Sequence, residues 1–174
     1  MSDINTTGLD LQTLSHWLEH HVHGFAGPLL AEKFAGGQSN PTYKLLTPTA
    51  TYVMRCKPGP VSQLLPSAHA IEREFRVMQA LARTAVPVPH MLVLCEDETI
   101  IGRAFYVMEY KAGRLFWEPD LPNVAHDQRM PIYAAMNKVL ATLHTIEPAA
   151  IGLQDYGKAG NYFERQIGRW SKQY

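Results

Sequence analysis

The sequence has few cysteines and no excess of either charge. Its two cysteines, Cys56 and Cys95, have no partners at metal-ligand spacing, and a single pair cannot make a disulfide framework. Lysine and arginine total 16, and so do aspartate and glutamate. Because nucleic acid and anionic membranes attract a net basic surface, this balance argues against both as the main partner.

Long apolar runs and the pattern of a secretory leader are also missing. No run approaches the roughly 18 apolar residues of a membrane span, and the segment from Met1 to Asn5 is neither basic nor apolar. Glycine and proline, 12 residues each, are too few for a collagen-like or low-complexity chain. Since 46% of the residues are apolar, a packed core is expected. With neither a membrane span nor a leader in the sequence, we expect a soluble cytoplasmic protein.

Apolar periodicity predicts two helices and five strands in the first part of the chain. Asp10 suits the N-cap of a helix over Leu11–His23, and a second helix is predicted over Ser67–Ala85. Three strands precede the second helix and two follow it. The five strand predictions are Leu30–Phe34, Thr42–Leu46, Thr51–Lys57, Met91–Cys95 and Ala104–Tyr110.

Beyond Gly113 the pattern becomes helical, with helices predicted over Asp127–Ile146 and Asn161–Tyr174. The last helix has an apolar stripe of four residues that needs a surface to pack on. We therefore expect it to contact the preceding helix or to cause self-association. The predicted organisation is an N-terminal helical segment (1–29), a small lobe (30–112) and the incomplete start of a helical large lobe (113–174). The stripe consists of Phe163, Ile167, Trp170 and Tyr174.

The order of elements is that of a protein-kinase small lobe, and two charged residues agree with it. Arg55 ends Tyr-Val-Met-Arg on the third strand, where kinases carry Val-Ala-Ile-Lys and use the cation to neutralise ATP phosphates. Glu74 borders the apolar stripe of the following helix, so it can face the sheet and pair with Arg55, whereas Glu72 should point away. Lys57 lies on the same strand face as Arg55 and is the alternative phosphate contact.

Seven stretches, which cover nearly the whole chain from Phe34 onward, support a more specific resemblance. Together they resemble the aminoglycoside phosphotransferase and choline kinase superfamily, and within it the phosphotransferase-like domains associated with acyl-CoA dehydrogenases. The stretches are GGQSNPTYKL, TYVMRCKPG, LLPSAHAIEREFRVMQAL, VPVPHMLVLCED, FYVMEYKAG, LATLH and IGLQDYGKAGNYFERQIGRWSKQY.

The resemblance implies an α+β fold. Its protein-kinase-like small lobe is a five-stranded antiparallel sheet with one inserted helix, followed by the first helices of a large lobe. It also implies ATP as cofactor, bound by a short phosphate loop, by the cation and carboxylate described above, and by a hinge after the fifth strand. Besides Arg55 and Glu74, the implied nucleotide-binding residues are Gly37, Gln38, Ser39, Asn40, Met108, Glu109 and Lys111.

Two motifs of that family do not occur in the sequence. The first is His-Gly-Asp-x-x-x-x-Asn, which positions the acceptor hydroxyl, and the second is Asp-Trp-Glu, whose aspartate holds magnesium. The single His-Gly pair in this sequence is His23-Gly24. We therefore expect no catalytic or metal-ligating residue within the chain, and Mg²⁺ ligands beyond residue 174.

The predicted function is the N-terminal part of an ATP-dependent small-molecule phosphotransferase that acts on a hydroxyl, for which the resemblance suggests a hydroxyacyl-CoA. The alternative is a catalytically inactive nucleotide-binding or scaffolding module.

Histidines offer two further interpretations. His16, His20 and His23 recur at helical spacing and could hold zinc, but no fourth ligand is evident, which favours a solvated helix face. His144 lies within the apolar stripe of its helix, which predicts a hydrogen-bonded core histidine.

Overall fold

The computed structural model of the chain describes residues 8–35, 40–58, 70–157 and 160–172. Helices and strands follow one another in the predicted order, with one additional 3₁₀ turn at Pro148–Ile151. The remaining elements are α1 (Leu11–His21), β1 (Leu30–Lys33), β2 (Thr42–Leu46), β3 (Thr51–Cys56), α2 (Ile71–Leu81), β4 (Met91–Cys95), β5 (Phe105–Glu109), α3 (His126–His144) and α4 (Tyr162–Ser171).

The five strands form one antiparallel sheet in the order β1-β2-β3-β5-β4. β3 lies at its centre, and its register places Arg55 opposite Thr42 on β2 and opposite Tyr106 on β5. Because directly opposite residues in a sheet share a face, these three side chains form one row across it. The predicted α+β fold, a five-stranded antiparallel sheet with one inserted helix, is confirmed.

Helix α1 packs on one face of the sheet. Its N-cap is Asp10, as predicted, and the carboxylate accepts hydrogen bonds from the backbone N–H groups of Gln12 and Thr13. Leu14 and Leu18 are fully buried against the sheet. The N-terminal segment therefore shares a hydrophobic core with the strands, while the division into three parts stays a prediction.

Helix α2 packs on the opposite face of the sheet. Side chains alternate between the two faces along a strand, and Phe105 and Val107 of β5 pack with α1 whereas Tyr106 packs with α2. Ile71 is fully buried there with Tyr106 and Met91, and Phe75 packs against them. The helix ends at Leu81, four residues before the predicted end. Its predicted first residues before position 70 lie outside the described part of the chain.

Helices α3 and α4 bury none of their residues. His144 is consequently exposed, so the prediction of a core histidine is wrong for this chain. Leu140, in the apolar stripe of the same helix, is 48% exposed, because the described residues leave this part of the stripe uncovered. Within the described residues, no helix is long and apolar enough to cross a membrane.

Candidate nucleotide-binding site

Arg55 and Glu74 form the ion pair that the sequence predicted. Nε of Arg55 lies 2.8 Å from Oε2 of Glu74, and the two side chains are 30% and 37% exposed. Nη1 of Arg55 also donates to the Thr42 hydroxyl at 3.2 Å. Nε makes no hydrogen bond within the described residues although it is buried, so the Glu74 contact is one of charge rather than of aligned donor and acceptor. The guanidinium is thus held at the sheet surface with part of its charge accessible.

Glu74 has two further partners, which fix its carboxylate from both sides. The Asn40 amide donates to Oε1 at 3.0 Å, and the Tyr106 hydroxyl donates to Oε2 at 3.1 Å. Asn40 is only 2% exposed, so its position at the end of the predicted phosphate loop is set by packing. One carboxylate therefore links α2, the centre of the sheet and Asn40, two residues before β2.

Tyr106 is a site residue that sequence reasoning missed. Burial, together with the nearby Glu74 carboxylate, raises the pKa of its phenol well above the ordinary value. The hydroxyl therefore stays protonated and acts as a donor toward the carboxylate. The signal that could have found it was the register, since Tyr106 stands directly opposite Arg55, but register depends on strand pairing that the chain order alone did not specify.

Lys57, the alternative phosphate contact, has a different partner. Its Nζ lies 3.3 Å from Oε2 of Glu72. Glu72 therefore does not point away from the sheet, contrary to the prediction, because Lys57 extends past the end of β3 and meets it. Among the described residues, two cation–carboxylate pairs join α2 to the end of β3 and the position after it, and the carboxylate of the Arg55 pair also contacts Asn40 and Tyr106.

At the predicted hinge, β5 ends in a small polar cluster. The Glu109 carboxylate accepts from the His90 backbone N–H at 2.7 Å and pairs with Lys111 Nζ at 2.9 Å. These contacts, with Lys111 the larger influence, lower the pKa of Glu109 below its usual value. The Glu109 backbone N–H donates to the His90 carbonyl at 2.9 Å, and Met108 is partly buried on the α2 side of the sheet.

The remaining predicted residues lie partly outside what can be described. Gly37, Gln38 and Ser39 of the phosphate loop fall outside the described residues, so their role stays a prediction. Across residues 8–35, 40–58, 70–157 and 160–172, no group of three or more His, Cys, Asp or Glu side chains could hold a metal ion. His16 and His20 are exposed, with ring centroids 4.6 Å apart.

Comparison with known proteins supports a phosphotransferase relationship. The profile of the phosphotransferase enzyme family matches residues 31–174. One similar solved structure comes from Ralstonia eutropha JMP134 and is assigned as an aminoglycoside phosphotransferase. It superposes on this chain with a TM-score of 0.80, at 57% sequence identity, and covers 95% of this chain. This chain covers 47% of that one.

Two curated relatives are acyl-CoA dehydrogenase family members. Mouse family member 10 is 49% identical over 162 residues, 90% of this chain, and rat family member 11 is 40% identical over 169 residues, 95% of this chain. The chain spans only 15% and 21% of the length of these two relatives. Because the family profile covers most of the chain and the fold agrees with a solved relative, the chain belongs to the phosphotransferase enzyme family.

Proposed function

We propose that this chain is the nucleotide-binding part of a phosphotransferase that uses ATP and transfers its terminal phosphate to a hydroxyl of a small molecule. The observation that carries the proposal is the 2.8 Å pair between Arg55 and Glu74. In the kinase arrangement, such a pair holds a cation against the α- and β-phosphates. Arg55 suits this task because its guanidinium is partly exposed and is anchored on its other side by Thr42.

Magnesium does not fit the described residues, since they contain no cluster of acidic or histidine ligands. Any metal ligands are therefore proposed to lie beyond residue 174. Within this chain, Arg55 is proposed to bind phosphate, with Asn40 and Glu74 orienting it. The hinge residues Met108, Glu109 and Lys111 are proposed to contact the base.

For the acceptor, we propose a hydroxyacyl-CoA. Support comes from the two relatives named as acyl-CoA dehydrogenase family members, in which a domain like this one belongs to a much longer chain. The alternative, a nucleotide-binding or scaffolding module without activity, is favoured by the absence from the sequence of the His-Gly-Asp motif. Both share the nucleotide site, so nucleotide binding is the step to test first.

The test is calorimetric titration of the chain with ATP and magnesium, comparing Arg55→Met with Lys57→Met. Each variant removes one cation, from near the end of β3 for Arg55 and from the position just after the strand for Lys57. We expect Arg55→Met to weaken binding by about tenfold, the size of a charge-assisted contact, and Lys57→Met to have little effect. Arg55→Lys, which keeps the charge without the planar fork, should fall between them.

Equal loss in the two methionine variants would replace the specific assignment by a general charge effect. No binding by the intact chain would overturn the proposed nucleotide site.

A further inference from the structure

The outer face of α2 is held by a turn that the nucleotide site does not use. Arg73 and Arg76 are about 100° to 200° around the helix from Glu74, so they project away from the Arg55 pair. Both reach the segment that follows the 3₁₀ turn, within the Gly-Leu-Gln-Asp-Tyr-Gly stretch at 152–157. We call the segment 152–156 the clamp turn.

Arg76 makes the main contact with the clamp turn. Its guanidinium faces the Asp155 carboxylate with both terminal nitrogens, Nη1 lying 3.1 Å from Oδ2 and Nη2 pairing with Oδ1. Nη2 also donates to the Gly152 carbonyl at 2.9 Å. A two-pronged arginine–carboxylate contact restricts orientation as well as distance, so it resists rotation of α2 as well as its displacement.

Arg73 adds a second attachment one helical turn earlier. Its Nη2 donates to the Tyr156 carbonyl at 2.6 Å, and its guanidinium lies 4.1 Å from the centre of the Tyr156 ring. The same turn also reaches the apolar part of α2, since Leu153 and Tyr156 line a cavity of about 550 Å³ together with Val77 and Leu81. Helix α2 is therefore bounded by the sheet on one side and by the clamp turn on the other.

We propose that the clamp turn positions α2, so that Glu74 stays within reach of Arg55. Arg76 and Asp155 are positioning residues in this proposal, because they act through α2 and do not touch the nucleotide site. Without the clamp, the remaining contacts of α2 with the described chain are the apolar packing of Ile71, Phe75 and Met78 and the polar contacts of Glu72 and Glu74 themselves. Apolar contacts of this kind permit small rotations that would draw the Glu74 carboxylate away.

The positional part of the proposal stands without a nucleotide, and its consequence for ATP rests on the proposed function. Two measurements on the nucleotide-free chain test the positional part: amide hydrogen exchange across α2, and the NMR signal of the Arg55 Nε–H group. The variants are Arg76→Ala, Asp155→Ala and the double variant. The matched control is Arg83→Ala, which removes an exposed arginine just beyond the end of α2.

We expect Arg76→Ala and Asp155→Ala each to speed exchange in α2 by about twofold to fivefold and to shift the Arg55 signal. Exchange in β3 and β5 should not change, the double variant should be no worse than either single one, and Arg83→Ala should match the parent chain. Unchanged exchange in α2, or equal acceleration in the sheet strands, would overturn the clamp.

A nucleotide titration separates this proposal from the proposed function. Arg76→Ala should weaken ATP binding by about twofold to fivefold in the parent chain, and by no further factor in a Glu74→Gln background, since its effect passes through Glu74. A further loss in that background would overturn positioning through Glu74. If the parent chain binds no nucleotide while α2 still responds to the clamp variants, the proposed function fails and the clamp stands.

Discussion

At the residue scale, the site depends on a single carboxylate with several donors. Glu74 accepts hydrogen bonds from the Asn40 amide and the Tyr106 hydroxyl and forms an ion pair with Arg55, and each partner comes from a different part of the chain. Such an arrangement orients the arginine better than an isolated surface pair, because the carboxylate cannot follow a moving partner. The neighbouring pair of Lys57 and Glu72 serves as an internal comparison.

Replacement of Glu74 by glutamine tests this difference. Glutamine keeps the shape and an acceptor oxygen but removes the charge that holds Arg55. Since the pair is about one-third exposed, we expect a loss of about 1 kcal/mol in ATP binding, or roughly fivefold in Kd. Isothermal titration calorimetry measures it, with Glu72→Gln as the matched control. The same loss in both variants would contradict a specific role for Glu74.

At the element scale, helix positions were predicted better than helix surroundings. α1 begins where the capping residue indicates, because a cap is a local interaction between a side chain and backbone two and three residues away. The prediction for His144 was wrong because a helical stripe shows which face is apolar but not whether anything covers it. The clamp turn lies within one of the stretches that carry the family resemblance, and its partners on α2, which are 76 to 83 residues away, were not predicted.

The cap of α1 gives a pH prediction. The Thr13 backbone and hydroxyl hydrogen bonds lower the pKa of Asp10 below its ordinary value of 3.8. A lowered folded-state pKa stabilises the fold above pH 3.8, and this contribution is lost as the pH falls through the folded-state value. Asp10→Asn keeps a capping oxygen without a titrating group, so its α1 helicity should fall less than that of the parent chain between pH 5 and about 2.5.

Circular dichroism and urea unfolding at each pH measure this effect, and Asp10→Ala supplies the reference without a cap. An identical pH profile for the parent chain and the asparagine variant would show that the charge of Asp10 contributes nothing to the cap.

At the scale of the whole molecule, the buried core is concentrated in the first part of the chain. The sheet with α1 and α2 contains two buried clusters, whereas α3 and α4 present apolar side chains to solvent. Phe163 is 80% exposed and Trp170 is 58% exposed. Relatives in which a similar domain belongs to a longer chain have additional polypeptide available to cover such surfaces.

We predict that the apolar face of α4 makes the chain self-associate. Burial of each such side chain contributes roughly 1.5–3 kcal/mol to association. Ile167, at the centre of this apolar face, is 67% exposed. Sedimentation velocity should show oligomers that shift toward monomer in Ile167→Lys and on truncation after Gly160. Glu164→Lys, which adds the same group on the same helix, should not shift them. A parent chain that is monomeric at every concentration would contradict the prediction.

We also predict that the 174-residue chain transfers no phosphate. Phosphoryl transfer depends on positioning and on metal charge. The sequence has no His-Gly-Asp motif, and the described residues hold no metal-ligand cluster. Incubation with ATP, magnesium and hydroxyacyl-CoAs should give no product by mass spectrometry. Magnesium-dependent turnover that disappears in Arg55→Met would contradict this, whereas a signal that survives that substitution comes from a contaminating kinase.

The sequence by itself determined the elements, the pairing of Arg55 with Glu74 and the family. These properties depend on local periodicity, a local cap and motifs that lie within short stretches. Only the tertiary structure revealed Tyr106 as a donor, Glu72 as the partner of Lys57, and the clamp of α2 by Asp155. None of these contacts belongs to a motif that the sequence showed, so each follows from strand register and packing, which no short stretch of sequence encodes.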